Sequence, residues 1–225
     1  MESLEQDSAF LIQLENIHFS YGERPVLKGL SFCYAEGERV GLVGPNGSGK
    51  TTLFHIIMGL LKPPEGQITI LGKTRRKEPD FVEVRKKIGF VFQDPDDQLF
   101  SPTVAEDVAF GPLNLGMPRE KVLETVHDTL KLIGLCGFEN RVTHKLSGGE
   151  KRLVSLATVL AMKPKILILD EPTAGLDEKT TERLVLILQN LCTSYIIASH
   201  DRGFLERVAD KLYQLRDGKL VNLQS

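Results

Sequence analysis

Eight consecutive residues have the types and spacing to hold a phosphate chain. Gly44-Pro45-Asn46-Gly47-Ser48-Gly49-Lys50-Thr51 fits G-x-x-x-x-G-K-[ST]. Glycines let a backbone wrap an anion with its N–H groups turned inward. Lys50 is the one cation of the run and would bridge the β- and γ-phosphates of a triphosphate. The Thr51 hydroxyl would ligate Mg²⁺, and Thr52 beside it would join the residues that bind the ATP. A second feature follows roughly 120 residues later: four aliphatics, Ile166-Leu167-Ile168-Leu169, end in Asp170-Glu171. Ligands gather at the carboxyl ends of buried parallel strands. Asp170 would meet the Mg²⁺ directly or through water. Glu171, on the other side of the strand, would polarise an attacking water. Together these residues describe a site that binds and hydrolyses MgATP.

Such groups need elements that aim them. Glu38–Val43 is a short apolar run leading into the glycine-rich loop, and Thr51–Leu61 reads as a helix stopped at Pro63-Pro64. The helix places the positive end of its dipole at the bound anion. Phe10–Ser20 alternates apolar and polar residues as a half-buried strand does, and Leu30, Phe32 and Tyr34 repeat that period. Gln67–Leu71 and Ile88–Phe92 read as further strands. From Asp94 to Ala161 the pattern turns helical: Val122, Val126, Leu130 and Ile133 share one helical face after Pro118. Ser147 caps a helix running to about Met162. Lys165–Leu169, Glu178–Cys192, Ser194–Ser199 and Asp201–Ala209 then alternate strand and helix, and Lys211–Val221 forms a hairpin turning at Asp217-Gly218. Alternation at both ends implies a mostly parallel sheet. We therefore expect one α/β domain over residues 10–225, with a helical lobe at about 95–163.

Composition narrows the function classes. The 225 residues are 41% hydrophobic and 26% charged, with a net charge of −2 and a pI near 6.2. No basic face calls for nucleic acid. Lys73–Lys77 and Arg85–Lys87 are short basic stretches and read as solvated surface. Cys33, Cys136 and Cys192 lie far apart without metal spacing, which suits buried thiols in a reducing compartment. The acidic start Met1–Ser8 does not read as a secretion signal. The longest apolar candidate, Leu53–Leu61, is interrupted by His55 and falls short of a membrane span. Any service to a membrane would be given peripherally, from the cytoplasmic face, through a protein partner.

Leu146-Ser147-Gly148-Gly149-Glu150-Lys151-Arg152, between the phosphate loop and the acidic strand, resembles the signature segment of ABC-type ATPases. The other motifs resemble that family's in the same order. Tyr21 resembles its adenine-stacking aromatic, Gln93 the glutamine between its lobes, Pro172–Asp177 its interface loop, and His200 its switch histidine. The resemblance runs from about residue 10 to 220. It implies a P-loop (RecA-like) core with a mostly parallel sheet, an antiparallel β lobe and a helical lobe. Within the family, Val91–Phe100 and Thr103–Pro112 resemble the ATPases of energy-coupling-factor importers, which take up vitamins or transition-metal ions. The cobalt/nickel branch is the nearest in pattern. Relatives serving several vitamins often carry a C-terminal extension, and the chain's end soon after its hairpin favours the metal type.

The resemblance also implies a mechanism. Leu146, Ser147, Gly148, Gly149 and Glu150 of one subunit close over the nucleotide held by another, a second copy of this chain ahead of a related one. Asp177 lines that interface. Glu171, His200 and Gln93 serve hydrolysis, and Gln93 touches the Mg²⁺ or its water. Glu150 departs from the family's familiar glutamine and adds a negative charge near the partner's nucleotide. The acidic stretch Asp94–Asp97 would face an integral membrane subunit, offering a groove for one of its helices.

Overall fold

The computed structural model describes residues 10–191 and 194–223. These fall into two compact units, one within Met1–Ile88 and Ser194–Ser225, the other within Gly89–Thr193. The expectations for Met1–Ser8 and Cys192 lie outside the described residues.

The first unit opens on an antiparallel sheet. Its strands β1 (Phe10–Tyr21), β2 (Arg24–Ala35), β4 (Glu65–Ile70) and β5 (Lys73–Thr74) stand in the order β2-β1-β4-β5. Strand β1 buries Ile12, Leu14, Ile17 and Phe19. Strict alternation breaks between Leu14 and Ile17, where the pairing register shifts and Asn16 takes a positive φ of 50°. The bulge returns Ile17 to the core face that a period of two would have given to Asn16.

The second layer of this unit is parallel at its centre. Strand β3 (Arg39–Val43) pairs in parallel with β8 (Ser194–Ser199) and with β9 (Lys211–Arg216). The last strand, β10 (Lys219–Asn222), returns antiparallel to β9 through the expected turn at Asp217-Gly218. Gly218 sits at φ 79°, and a Cβ there would come within 2.8 Å of the Val26 carbonyl oxygen. That close approach lets the Lys28 N–H donate to Gly218 O at 3.0 Å and ties the hairpin to β2. Helix α7 (Arg202–Val208) covers β3 and β8 with buried Phe204, Leu205 and Val208.

Helix α1 spans Lys50–Ile57, shorter than the expected run to Leu61. Gly59, at φ 70°, ends it: Leu60 N–H donates to His55 O at 2.8 Å and Gly59 N–H to Ile56 O at 3.1 Å, a Schellman closure. The prolines at 63 and 64 come after the stop. Helix α2 (Glu78–Lys87), not read from the sequence, buries only Phe81 and Val84. Its basic residues Arg85–Lys87 occupy the last turn, where cations favour the dipole. Arg75 corrects the reading of Lys73–Lys77 as uniformly solvated. It is 5% exposed, donating to Ile70 O and Asp80 O and pairing with Glu83. The Lys87, Lys73 and Arg75 side chains bonded to Glu83 hold its carboxyl low, at about 2.

The second unit carries β6 (Ile88–Val91) beside β7 (Ile166–Asp170), both buried throughout. Its helices are α3 (Val104–Asn114), α4 (Arg119–Leu132), α5 (Gly148–Leu160) and α6 (Glu178–Asn190). Helix α4 buries Val122, Val126 and Leu130 as the period predicts. Two cysteines correct their reading, since Cys33 and Cys136 are exposed. No helix among the described residues is long and apolar enough to cross a membrane.

Candidate functional site

Each unit carries its own set of the residues singled out by the sequence. In the first, Gly44–Gly49 connects β3 to α1. Gly49 is the helix N-cap at φ 108°, and Gly47 also turns left-handed at φ 78°. A Cβ on Gly49 would stand 2.8 Å from Val26 Cγ1, so only glycine fits this turn without displacement. The first N–H groups of any helix lack intrahelical acceptors. Here no side chain caps them, and the first turn holds no acid. Lys50 is buried, its Nζ donating to Gly44 O at 2.7 Å and Pro45 O at 3.2 Å. The ammonium is thus folded back along the loop, and Thr51 follows it in the first helical turn. The result is a concave backbone with positive character, suited to an anion.

Tyr21 stands at the end of β1, 52% exposed, its hydroxyl 3.4 Å from Thr52 Oγ1 and its ring edge-on to Phe19. An exposed ring braced from beneath offers a stacking face. His200 follows β8 directly and is exposed. Val43 pairs in register with Ser199, so Gly44 and His200 directly follow the ends of two adjacent parallel strands. Ser199 Oγ accepts from Asp201 N–H at 3.0 Å, and Asp201 caps α7, fixing the backbone around the histidine. In this unit the sequence reading missed Arg24. Arg24, at the start of β2, holds a guanidinium nitrogen 3.5 Å from where a Gly47 Cβ would lie. The loop therefore has a second cation beside it, contributed from another strand.

In the second unit, Asp170 closes β7 fully buried, and Glu171 beside it is 4% exposed. Glu171 adopts φ 45°, a strained region for a side chain of its type. The turn is held by Ala174 N–H on Glu171 O at 3.1 Å and Leu176 N–H on Thr173 O at 3.1 Å. Asp177 is exposed and caps α6, accepting from Thr180 N–H at 2.7 Å. That backbone bond lowers the Asp177 carboxyl from its ordinary value. Gln93, after β6, has an exposed side chain, while its carbonyl is gripped from behind by Arg152. Arg152 is 7% exposed and also donates to Phe92 O and Ala174 O at 3.2 Å each. Burial pulls its guanidinium below the usual value, against the nearby charges of Asp94 and Asp170. One buried guanidinium on α5 thus braces both the Gln93 segment and the loop after Glu171. The sequence gives no signal for this, because the bonds run to carbonyls far along the chain.

The segment Leu146–Glu150 starts α5. Leu146 is buried and anchors it; Ser147 and Gly148 are exposed, and a Cβ on Gly148 would meet nothing within 4 Å. Ser147 Oγ accepts from Glu150 N–H at 3.3 Å, while Glu150 Oε2 accepts from Ser147 N–H at 2.8 Å, a reciprocal cap. Glu150 also pairs with Arg141 at 3.2 Å. The negative charge that Glu150 adds at this position is therefore engaged twice. Asp94 caps the short turn Pro95–Asp97, and Lys151 reaches Asp96 at 2.6 Å. Leu99, Phe100, Ser101, Val142 and His144 help line a groove of 450 Å³ next to that turn.

A family model described as ABC transporter matches residues 27–174. The chain is 46% identical over 216 residues to the energy-coupling factor transporter ATP-binding protein EcfA of Methanothermobacter thermautotrophicus, covering 94% of this chain and 70% of the relative. Among solved structures it is similar to CbiO1 from Clostridium perfringens, described as part of the ABC transporter complex CbiONQ. That likeness has 36% identity and a TM-score of 0.85, over 95% of this chain and 87% of the other. A dimeric post-hydrolysis state of the ATP-binding cassette MJ0796, bound to ADP and Pi, is 30% identical with a TM-score of 0.84, over 93% and 96% of the two chains.

Proposed function

This chain belongs to the ABC transporter family of ATPases, and from that membership we infer that it is the ATP-hydrolysing subunit of an energy-coupling-factor importer. The observation that carries the reading is the uncapped, left-handed entry into α1 with Lys50 folded against it. Tyr21 stacks the adenine. Gly44, Pro45, Asn46, Gly47, Ser48, Gly49, Lys50, Thr51 and Thr52 hold the phosphates. Glu171 polarises the attacking water, and His200 and Gln93 steady the attack geometry. Thr51, Asp170 and Gln93 offer only oxygen donors, the set a hard cation such as Mg²⁺ prefers. These three residues would hold the Mg²⁺, which would supply charge neutralisation to the phosphates. Residues 10–225 form one ATPase domain with a helical lobe at about 95–163.

The functional unit is a pair of ATPase subunits, a second copy of this chain in first place. Leu146–Glu150 of each faces the nucleotide of the other, and Asp177 lies along the shared interface. The dimeric cassette bound to ADP and Pi supports this reading by likeness. Integral membrane subunits dock on the acidic stretch Asp94–Asp97 and the groove beside it that Leu99 and Phe100 help line, with the protein peripheral on the cytoplasmic face. The cargo is cobalt or nickel, a reading supported by the Val91–Phe100 pattern.

The test is Glu171→Gln. It should keep ATP binding, cut turnover by ~10²–10⁴, the range for losing a general base, and accumulate an ATP-dependent dimer. Adding Ser147→Arg should abolish that dimer in light scattering. Undiminished hydrolysis would remove Glu171 from its role, and a persisting dimer would end the shared-site model. ATP-dependent uptake of radioactive cobalt or nickel into cells carrying the complex tests the cargo; uptake unaffected by Glu171→Gln would refute it.

A further inference from the structure

Glu150 brings a negative charge to a helix start that this reading sets against a triphosphate. Its two oxygens are both engaged. Oε2 accepts from the Ser147 N–H at 2.8 Å and Oε1 from Arg141 Nη1 at 3.2 Å. Arg141 is in turn held in place: its guanidinium carbon lies 3.7 Å from the centre of the Phe138 ring. Its backbone N–H donates to Phe138 O at 2.9 Å and its carbonyl accepts from Val104 N–H at 3.1 Å. A guanidinium stacked on a ring keeps its edge free for a planar ion pair while losing little side-chain freedom. The pair is too exposed to matter much for folding: the side chains of Arg141 and Glu150 are 52% and 31% accessible. Its consequence is local. A free carboxylate within one helical turn of Ser147 sits favourably at the positive end of the dipole, but by offsetting that end it would repel an incoming phosphate.

We propose that Arg141, stacked on Phe138, is a positioning residue that cancels the charge of Glu150 and turns its carboxylate back onto the Ser147 N–H, so that the triphosphate of the partner subunit meets a neutral pair. The inference rests on the shared-site reading above. It makes the chemistry of a glutamate at this position depend on a residue nine places earlier. The Glu150 carboxyl is held below its ordinary value first by the Ser147 backbone bond, with Arg141 contributing.

The experiment is a double-mutant cycle in the Glu171→Gln protein, reading the MgATP concentration at half-maximal dimer by light scattering. Arg141→Ala should raise that concentration about fivefold, the scale on which exposed charges act at an interface. With Glu150→Gln also present, Arg141→Ala should change it less than about twofold. Arg141→Lys, which keeps the charge but not the flat stack, should stay within about twofold of the parent. If Arg141→Ala fails to fold, Arg141→Gln, neutral but planar, runs the same cycle. Equal shifts with and without Glu150→Gln would show that Arg141 acts by packing on Phe138, and overturn the inference. No ATP-dependent dimer in the Glu171→Gln parent would instead refute the shared-site reading, and the inference with it.

Discussion

Two helix starts in this molecule are built in opposite ways. Helix α1 begins bare: a left-handed glycine at the N-cap, no capping side chain, no acid in the first turn, and a buried lysine folded against the loop. Helix α5 begins satisfied: Ser147 and Glu150 cap each other, and Arg141 holds the carboxylate. The first puts no capping side chain and no acid of its own in the way of an anion at the positive end of the helix. The second has its Ser147 and Glu150 N–H groups already engaged, so an anion must compete with Glu150 for the Ser147 N–H. A permanent nucleotide cradle suits the first design. A contact that forms and breaks within each hydrolytic cycle suits the second, because its open state costs little.

The largest test of that contrast is Lys50→Ala. Charge-assisted hydrogen bonds are worth about 1.5–3 kcal/mol, so MgATP affinity should fall roughly 10- to 100-fold by calorimetry. The Arg24 guanidinium near Gly47 should keep residual binding above zero. Wild-type affinity would mean that α1 is not the cradle. Gly49→Ala comes next. It places a Cβ 2.8 Å from Val26 Cγ1 at φ 108°, and should cost about 1–3 kcal/mol of stability in denaturant unfolding. An unchanged midpoint would show that the left-handed entry carries no strain for other residues.

The contrast was only half legible in the sequence. The bare start was, because the phosphate loop is a contiguous pattern whose strand before and helix after follow from local periodicity. The cap Ser147-x-x-Glu150 was readable in part, as a helix start. Its ion pair with Arg141 was not, since nothing local links a residue before the segment to one inside it. The same limit hid Arg24 beside Gly47 and Arg152 bracing Gln93 and Ala174. The parallel core was legible from the alternation of strands and helices, and the antiparallel sheet only through the family resemblance. The bulge at Asn16 and the stop at Gly59 were missed: each depends on one residue's positive φ rather than on a pattern. Glu171 was chosen for its charge, while its strained backbone appears only in three dimensions. The thiols of Cys33 and Cys136 were misjudged because small size predicts burial only on average.

Ser147→Ala is the counterpart of Gly49→Ala at the satisfied start. Losing a serine cap costs about 1 kcal/mol, so thermal unfolding should shift down modestly. Affinity of the isolated subunit for MgATP should not move, because that nucleotide sits on the other helix. A matching loss of affinity would break the division of labour between the two starts.

The smallest effect concerns acid. In the folded chain the Glu150 carboxyl titrates below its ordinary value, first because the Ser147 N–H donates to it, and also through Arg141. A carboxylate whose folded pKa is depressed contributes stability that is complete above its unfolded value, about 4.3 for glutamate, and lost as pH falls through the folded value. The difference in melting temperature between wild type and Glu150→Gln should therefore be constant from neutral pH down to about 5, and should change in favour of the variant below about 4.3. Lys50→Ala, at a helix start with no acid in its first turn, should track wild type through the same range. A wild-type to Glu150→Gln difference that stays flat to pH 3 would mean that the carboxylate gains nothing from its two partners on folding, and the satisfied start would rest on the Ser147 hydroxyl alone.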